Sequence, residues 1–390
     1  MRLILLLIAS VLALPAQAKT PCGGAFDGFV SALKSEAVAS GHSKRSVNTF
    51  FAPVRQDPKV LRADRSQGVF KMAFLDFSKR VISQNRMNNG TSNARKYASV
   101  FARAEQDYGV PAGVLLAFWA LETDFGAVQG EFNTLNSLVT LSHDCRRPGL
   151  FRPQIFAALE LFERGDFDPA TTKGAWAGEI GMVQMLPEDI LTNGVDGDGD
   201  GKVRLKTSAP DALLSGAKML KGLGWRANEP WLQEVRVPSG FDWGESGLQT
   251  TKTVREWARL GVSARSGSLA QKSLAASVLL PQGKDGPAFL VYPNFNVYFE
   301  WNQSFVYVTT AAYFATRLSG APVYDPRAPA TGLSDAQMKT LQTRLKTRGY
   351  DVGKVDGILG AKTRSAVQME QKRLRMPADA WPTPELLNKL

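Results

Sequence analysis

Apolar residues recur at helical spacing through most of this chain. FDGFVSALKSEAVASG (26–41) and NARKYASVFARAEQDYG (93–109) each carry an apolar face and end at a glycine, and residues 22–108 as a whole read as several amphipathic helices. One stretch breaks the pattern. In GVLLAFWALETDFG (113–126), Leu115, Leu116, Phe118, Trp119 and Leu121 leave almost no polar face, which predicts a buried helix opened near Pro111 and closed by Gly126. Glu122 lies at its end. A carboxylate on so apolar a helix is costly unless it is paired or used. Low-dielectric surroundings would raise its pKa toward what a general acid near neutral pH needs. The alternative is a carboxylate that leaves the helix end to make a structural hydrogen bond or salt bridge, and both readings stand at this point.

Further along, QIFAALELFERG (154–165) predicts a helix with a glycine stop, and 211–223 another. Around 287–310 the pattern changes to PAFLVYPNFNVYFEWNQSFVYV, rich in Phe, Tyr and Val, which reads as one or two short strands before YFATRL returns to helix. SGAPVYDPRAPATG (319–332) has no apolar period and marks a linker. Beyond it, Met338, Leu341 and Leu345 share one helical face stopped by Gly349. The turn VDGILG, a helix from about Thr363 to Leu374 and PTPELLNKL complete a small three-helix unit, 333–390.

The first 18 residues read as a secretory signal peptide: Arg2, the apolar run Leu3–Leu14, and Ala16-Gln17-Ala18 as cleavage site. Lys19-Thr20-Pro21 before Cys22 is no lipobox, so export to the periplasm without a lipid anchor is expected, and no later stretch approaches the ~20 apolar residues of a membrane span. In an oxidising compartment the two cysteines, Cys22 and Cys145, would form one disulfide, two buried free thiols being the alternative. The 390 residues are 44% hydrophobic and 21% charged with net charge +11, which points to a polyanionic partner: nucleic acid, an anionic membrane or an acidic wall polymer. The scattered Lys and Arg, with no basic run or RNA-binding signature, argue against nucleic acid.

If Glu122 is an acid, glycosidase chemistry usually asks for a second carboxylate. Asp124 points to another helix face; Glu179, in GAWAGEIGMVQMLP, sits in a loop punctuated by Gly174, Gly178 and Gly181 that leads into a short helix, and such backbone admits a polymer chain closely. Taken together, ALETDFG, GAWAGEIGMVQMLP about 50 residues later and YPNFNVYFEWNQSFVY resemble, in the right order over 25–318, the B-type lytic murein transglycosylases. LQTRLKTRGY, VDGILGAKT and PTPELLNKL resemble the type 1 peptidoglycan-binding domain.

The resemblance implies a mainly α fold, α+β in having a small β element within a lysozyme-like core (19–318), followed by the linker and the wall-binding module. It implies that Glu122 is the single acid, that Gln184, Asn302, Tyr307, Trp301 and Met185 line the cleft, and that Arg146 and Arg147 contact glycan or peptide. The reaction implied is cleavage between N-acetylmuramic acid and N-acetylglucosamine, the muramyl 6-hydroxyl closing on C1 to leave a 1,6-anhydro end. Peptidoglycan strands are the expected partner, with other wall enzymes as candidates, and a monomer is expected. The chain departs from the family pattern at Ala175, where Ser is usual; at Glu179, where a small residue is common; at Leu150, in place of a tyrosine; and at Phe77, for an upstream aromatic. Glu179, otherwise a substrate-binding residue, keeps one alternative open, a muramidase that uses water with Glu179 as base or nucleophile; the basic surface and the C-terminal module allow another, a silent wall-binding protein.

DGDGDGK (196–202) places Asp196, Asp198 and Asp200 at positions 1, 3 and 5 of an EF-hand-like loop, with the Lys202 carbonyl at 7; Thr207 occupies position 12, where Glu is usual. In the family the loop is longer and Asp211 matches its closing aspartate. A structural Ca2+ is expected, with no organic cofactor; a turn without an ion is the alternative.

Overall fold

The structure, a computed structural model, describes residues 21–66 and 71–390; the expected signal peptide, 1–18, lies outside the described residues. The apolar stretch forms the helix Ala112–Thr123, in which Gly113 to Ala120 and Thr123 are all buried. Its neighbour is the equally apolar helix Phe305–Leu318. The two approach closely because Gly113 has no side chain: a Cβ there would lie 2.7 Å from the Ala315 carbonyl oxygen. Phe118 stacks on Tyr298, centroids 5.0 Å apart, and meets Trp301 at 4.4 Å, so the helix Pro293–Trp301 closes a third side.

The helix does not run to Gly126. It ends at Thr123, with Asp124 and Phe125 in the left-handed region (φ 51° and 59°) and their N–H groups returning to Ala120 and Trp119. Asp124 tolerates that conformation and its carboxylate accepts from Arg86 Nε at 2.9 Å, which accounts for its absence from the site. The 93–109 segment bends at Tyr97, between the helices Gln84–Lys96 and Ala98–Tyr108, where the Tyr97 ring meets Trp119 edge-on.

The strand expectation for 287–310 holds only for Ala288–Val291, a central strand in an antiparallel sheet of five. It pairs with Ala275–Leu279 (Val278 opposite Leu290) and with Leu232–Arg236 (Leu232 opposite Val291). Pro293 then starts a helix, and Ser304 caps the next by accepting the Tyr307 N–H. Phe305–Leu318 is buried nearly all round and Pro293–Trp301 buries Phe295, Val297 and Tyr298, so aromatic and β-branched residues that read as strand serve helix packing instead. The helix foreseen from 154 begins at Pro148 and stops at Gly165 as expected.

A second core holds Phe29, Leu33, Phe50, Leu138, Ile155 and Leu159 from the N-terminal helices and the helices Thr134–His143 and Pro148–Arg164. Cys22 and Cys145 are bonded to each other, fastening the start of the described chain beside His143, whose carbonyl accepts the Gly23 N–H. The C-terminal helices Asp335–Thr347, Ala361–Arg373 and Pro384–Lys389 enclose Leu341, Leu345, Ala366, Val367 and Leu386. Buried Gln342 holds the turn between the first two by accepting the N–H groups of Asp356 and Gly357. The intervening segment has no regular element yet is strapped down: the Tyr324 hydroxyl meets Ser78 Oγ at 2.8 Å, and Trp381 Nε1 donates to the Ala330 carbonyl.

Replacing both cysteines by serine is expected to lower unfolding free energy by about 2–5 kcal/mol, since the bridge closes a long loop in the unfolded chain. Urea denaturation measures this; an unchanged midpoint would show that the bridge constrains nothing the fold does not already hold.

Candidate active site

Glu122 occupies the last turn of the central helix, where it meets a cleft of about 1110 Å³. One wall is the glycine-rich loop (Ala175, Trp176, Glu179, Gln184), another the segment Glu300–Gln303. The loop is anchored to the acid's own helix: Thr123 Oγ1, buried, donates to the Met182 carbonyl at 2.6 Å and accepts the Gly126 N–H. Its tight path requires glycine at 174, where a Cβ would fall 1.9 Å from the Glu179 carbonyl oxygen, and at 181, where φ is +81° and Leu205 is packed against it.

Two donors reach the Glu122 carboxyl, and both choose Oε1: Trp301 Nε1 at 3.1 Å and the Tyr307 hydroxyl in a short hydrogen bond. Among the described residues no donor reaches Oε2. Burial pushes the Glu122 carboxyl up to about 7; the two donors favour the charged form and oppose this, while the Glu179 charge adds to it. Near neutral pH the group is thus divided between acid and base. With Oε1 occupied as an acceptor twice over, the proton belongs on Oε2.

Glu179 lines the same cleft. Burial raises its pKa too, backbone N–H groups at Glu179 and Ala177 and then the Arg147 charge pull it the other way, and among the described residues its Oε2 is buried without a partner. Gln184 takes a left-handed backbone (φ 54°) and its Nε2 donates to the Gly181 carbonyl at 2.7 Å, fixing the side chain at the cleft wall. Asn302 and Trp301 line the cleft, Asn302 Oδ1 accepting the Ser304 N–H. Tyr307 stands behind Glu122, buried, rather than on the wall.

Three expected contacts lie elsewhere. Met185 is 1% exposed and belongs to the second core, its backbone bridged to Ile180, because the loop's turn points it inward. Arg146 and Arg147 both pair with the buried carboxylate of Asp64 beside the cleft, which leaves no cationic side chain among the cleft's lining residues. Glu188, Asp189 and Glu300 join the two other carboxyl groups there instead. The excess positive charge is outside the cleft.

In the acidic loop, Asp196, Asp198 and Asp211 converge, one oxygen from each within 4.8 Å of the others. Asp211 is fully buried, accepting N–H groups from Gly197, Asp198 and Arg204. Asp200 turns aside to pair with Arg204, and the Lys202 side chain reaches the Arg164 carbonyl. Three convergent carboxylates, one buried and pre-oriented, are a hard-oxygen donor set that fits a divalent cation such as calcium.

The Transglycosylase SLT domain family model matches residues 25–316, and the peptidoglycan binding domain model matches 334–390. This chain belongs to the SLT-domain transglycosylases. The crystal structures of SltB3 from Pseudomonas aeruginosa in complex with NAG-anhNAM-pentapeptide and with NAG-NAM-pentapeptide are 36% identical with TM-score 0.86, over 94% of this chain and 99% and 100% of theirs. Membrane-bound lytic murein transglycosylase B of Escherichia coli is 28% identical over 60% of this chain and 63% of its own length. The Escherichia coli lytic transglycosylase Slt35 in complex with calcium is 25% identical, TM-score 0.65, over 77% of this chain and 96% of that one.

Some residues of this SLT-domain site carry no local signal. Asp64 is buried far from any motif and is recognisable only once Arg146 and Arg147 close on it. Thr123 follows Glu122 directly in the chain, but nothing local signals its bond to Met182; Trp176 is the one aromatic in GAWAGEIGMVQMLP.

Because burial raises the Glu122 pKa, the protein loses stability as the carboxyl ionises, from about 4.5 through about 7, and keeps it below. Glu122→Gln removes that term. The variant is expected to exceed wild type in stability at pH 8, the gap closing by pH 4.5; urea titrations at both pH values would expose the idea as wrong if the gap did not change with pH.

Proposed function

We propose that this chain is a periplasmic lytic transglycosylase that cleaves the bond between N-acetylmuramic acid and N-acetylglucosamine in peptidoglycan, with Glu122 as its only acid and base. The observation that carries the reading is the asymmetric hydrogen bonding of Glu122: two donors on Oε1, none on Oε2, at a pKa of about 7. The Oε2 proton passes to the glycosidic oxygen as its bond to C1 breaks. The carboxylate left behind keeps the Trp301 and Tyr307 donors, which stabilise it while it waits to act as base. It then takes the proton of the muramyl 6-hydroxyl as that oxygen bonds C1, and Glu122 returns to its starting state. No water is consumed, so no second catalytic carboxylate is required.

General acid–base help contributes ~10²–10⁴-fold; Gln184, Asn302 and Trp301, fixed on opposite walls, supply positioning. A cleft lined by carboxyl and amide groups without cations suits a neutral sugar chain with peptide branches and repels nucleic acid. The similarity to SltB3, bound to muropeptide fragments, supports the substrate, and the C-terminal match supports wall attachment. The signal-peptide reading of 1–18 and the disulfide support the periplasm. Glu179 supports the second reading, hydrolysis by activated water, since its Oε2 has no protein partner.

Mass spectrometry of muropeptides released from purified sacculi separates the readings. Products lighter by one water than the hydrolytic ones are expected from wild type and none from Glu122→Gln, with Tyr307→Phe slower by roughly ten- to a hundredfold for loss of one hydrogen bond to a charged group. Reducing ends from wild type would transfer the role to Glu179 and water. Sacculus binding without any product would mark a wall-binding protein.

Asp196, Asp198 and Asp211 would hold a structural Ca2+ that stiffens the loop behind the glycine-rich segment, an assignment supported by the calcium complex of Slt35. Millimolar Ca2+ is expected to raise the melting temperature of wild type and not of Asp196→Asn/Asp198→Asn, as binding to the folded state requires. An equal rise in both proteins would remove the site.

A further inference from the structure

The C-terminal helical unit touches the helix that carries Tyr307. Arg364, from Ala361–Arg373, lays its guanidinium 4.0 Å above the centroid of Phe305 and donates through Nη2 to the Pro281 carbonyl at 2.7 Å. Phe305 is the first residue of Phe305–Leu318, and Tyr307, two residues on, donates to Glu122. The same short segment supplies Asn302 to the cleft and Ser304 as helix cap. Its far side is thinly supported: a cavity of about 460 Å³ lies between the two units, lined by Lys71, Phe74, Ser304, Phe305, Arg364 and Trp381. Arg364 is the contact that spans this gap onto the Phe305 ring.

The contact is an expensive one. Among the described residues Arg364 Nε is buried with no acceptor, a cost a tethered module would avoid. Around it the units are joined by further bonds: Gln368 Nε2 to the Ser246 carbonyl at 2.7 Å, the Lys284 N–H to Asp379 Oδ2 at 3.0 Å, and Lys71 to Asp335 at 2.9 Å. These fix the C-terminal unit in place, so a displacement at Arg364 is passed to Phe305 rather than absorbed by a swinging module. A planar guanidinium suits the task because it can stack on a ring and hydrogen-bond in its own plane at once.

We propose that Arg364 is a positioning residue for Glu122: by pinning Phe305 it sets the first turn of the Tyr307 helix, which makes the wall-binding unit part of the active-site framework. This rests on the reading of Glu122 as an acid held by Tyr307, and it goes beyond that reading by placing a determinant of turnover in the C-terminal unit. A role confined to wall attachment would raise KM; a role through Tyr307 lowers kcat.

The test is a double-mutant cycle on the full chain, with kcat and KM for sacculi, sacculus pull-down and melting temperature as readouts. Arg364→Met, which keeps the apolar stem, is expected to lower kcat about tenfold and leave sacculus binding within about twofold, with Arg364→Lys intermediate. In a Tyr307→Phe background Arg364→Met should cost less than about twofold more, since both act through one hydrogen bond. Phe305→Leu, removing the ring from the other side, is expected to reproduce the pattern and serves if Arg364→Met does not fold. Wild-type kcat in Arg364→Met, or kcat losses that multiply in the double variant, would overturn the inference and leave the acid assignment standing. Wild-type kcat in Tyr307→Phe would overturn the inference and the reading that Tyr307 holds the acid, while loss of product in Glu122→Gln alone tests the acid assignment.

Discussion

In the mechanism proposed, the carboxyl of Glu122 is neutral when it gives a proton and charged when it takes one back, within a single buried site. Burial favours the neutral form; the Trp301 and Tyr307 donors favour the charged one. A fully apolar surround would lock the proton on, and a water-filled one would strip it off at neutral pH. The neighbouring structure serves this balance: the central helix is apolar all round, and the helices Pro293–Trp301 and Phe305–Leu318 each deliver one donor to the same oxygen. Putting both on Oε1 leaves Oε2 as the oxygen that no donor among the described residues reaches.

The loop opposite is positioned from the same helix. Thr123, one residue past the acid, bonds to Met182, so the acid and the wall facing it move as one piece. The departures from the family pattern fall within this economy. Ala175 contributes no hydroxyl, and the Glu122 donors come from Trp301 on the opposite wall and from Tyr307 behind the carboxyl. Glu179 adds a charge that raises the acid's pKa.

Charge is distributed by region. The molecule carries a net +11, yet the cleft is lined by carboxyl groups, and Arg146 and Arg147 pair with the buried carboxylate of Asp64 beside it. The overall positive charge can favour a polyanionic wall at long range, whereas the cleft discriminates by shape and hydrogen bonding. The C-terminal unit, docked through part-buried hydrogen bonds, joins the two scales.

Much was legible in the chain itself. The buried helix, Glu122 at its end, the glycine-rich loop, the acidic loop, the cysteine pair and the three C-terminal helices follow from local patterns, because burial on all sides, glycine backbone freedom and helix periodicity leave marks over a few consecutive residues. Other features left none. The stretch after Val291 reads as strand and folds as helix because helices packed on every side accept any large apolar residue. Met185 and Gln184 are adjacent, and only the turn of the backbone sends one into the core and the other to the cleft. Asp64 meets its arginines, Tyr307 its acid and Arg364 its phenylalanine across scores of residues. Such pairings depend on where whole helices come to rest, which is set by the summed packing of the fold, whereas each helix by itself needs only its own sequence.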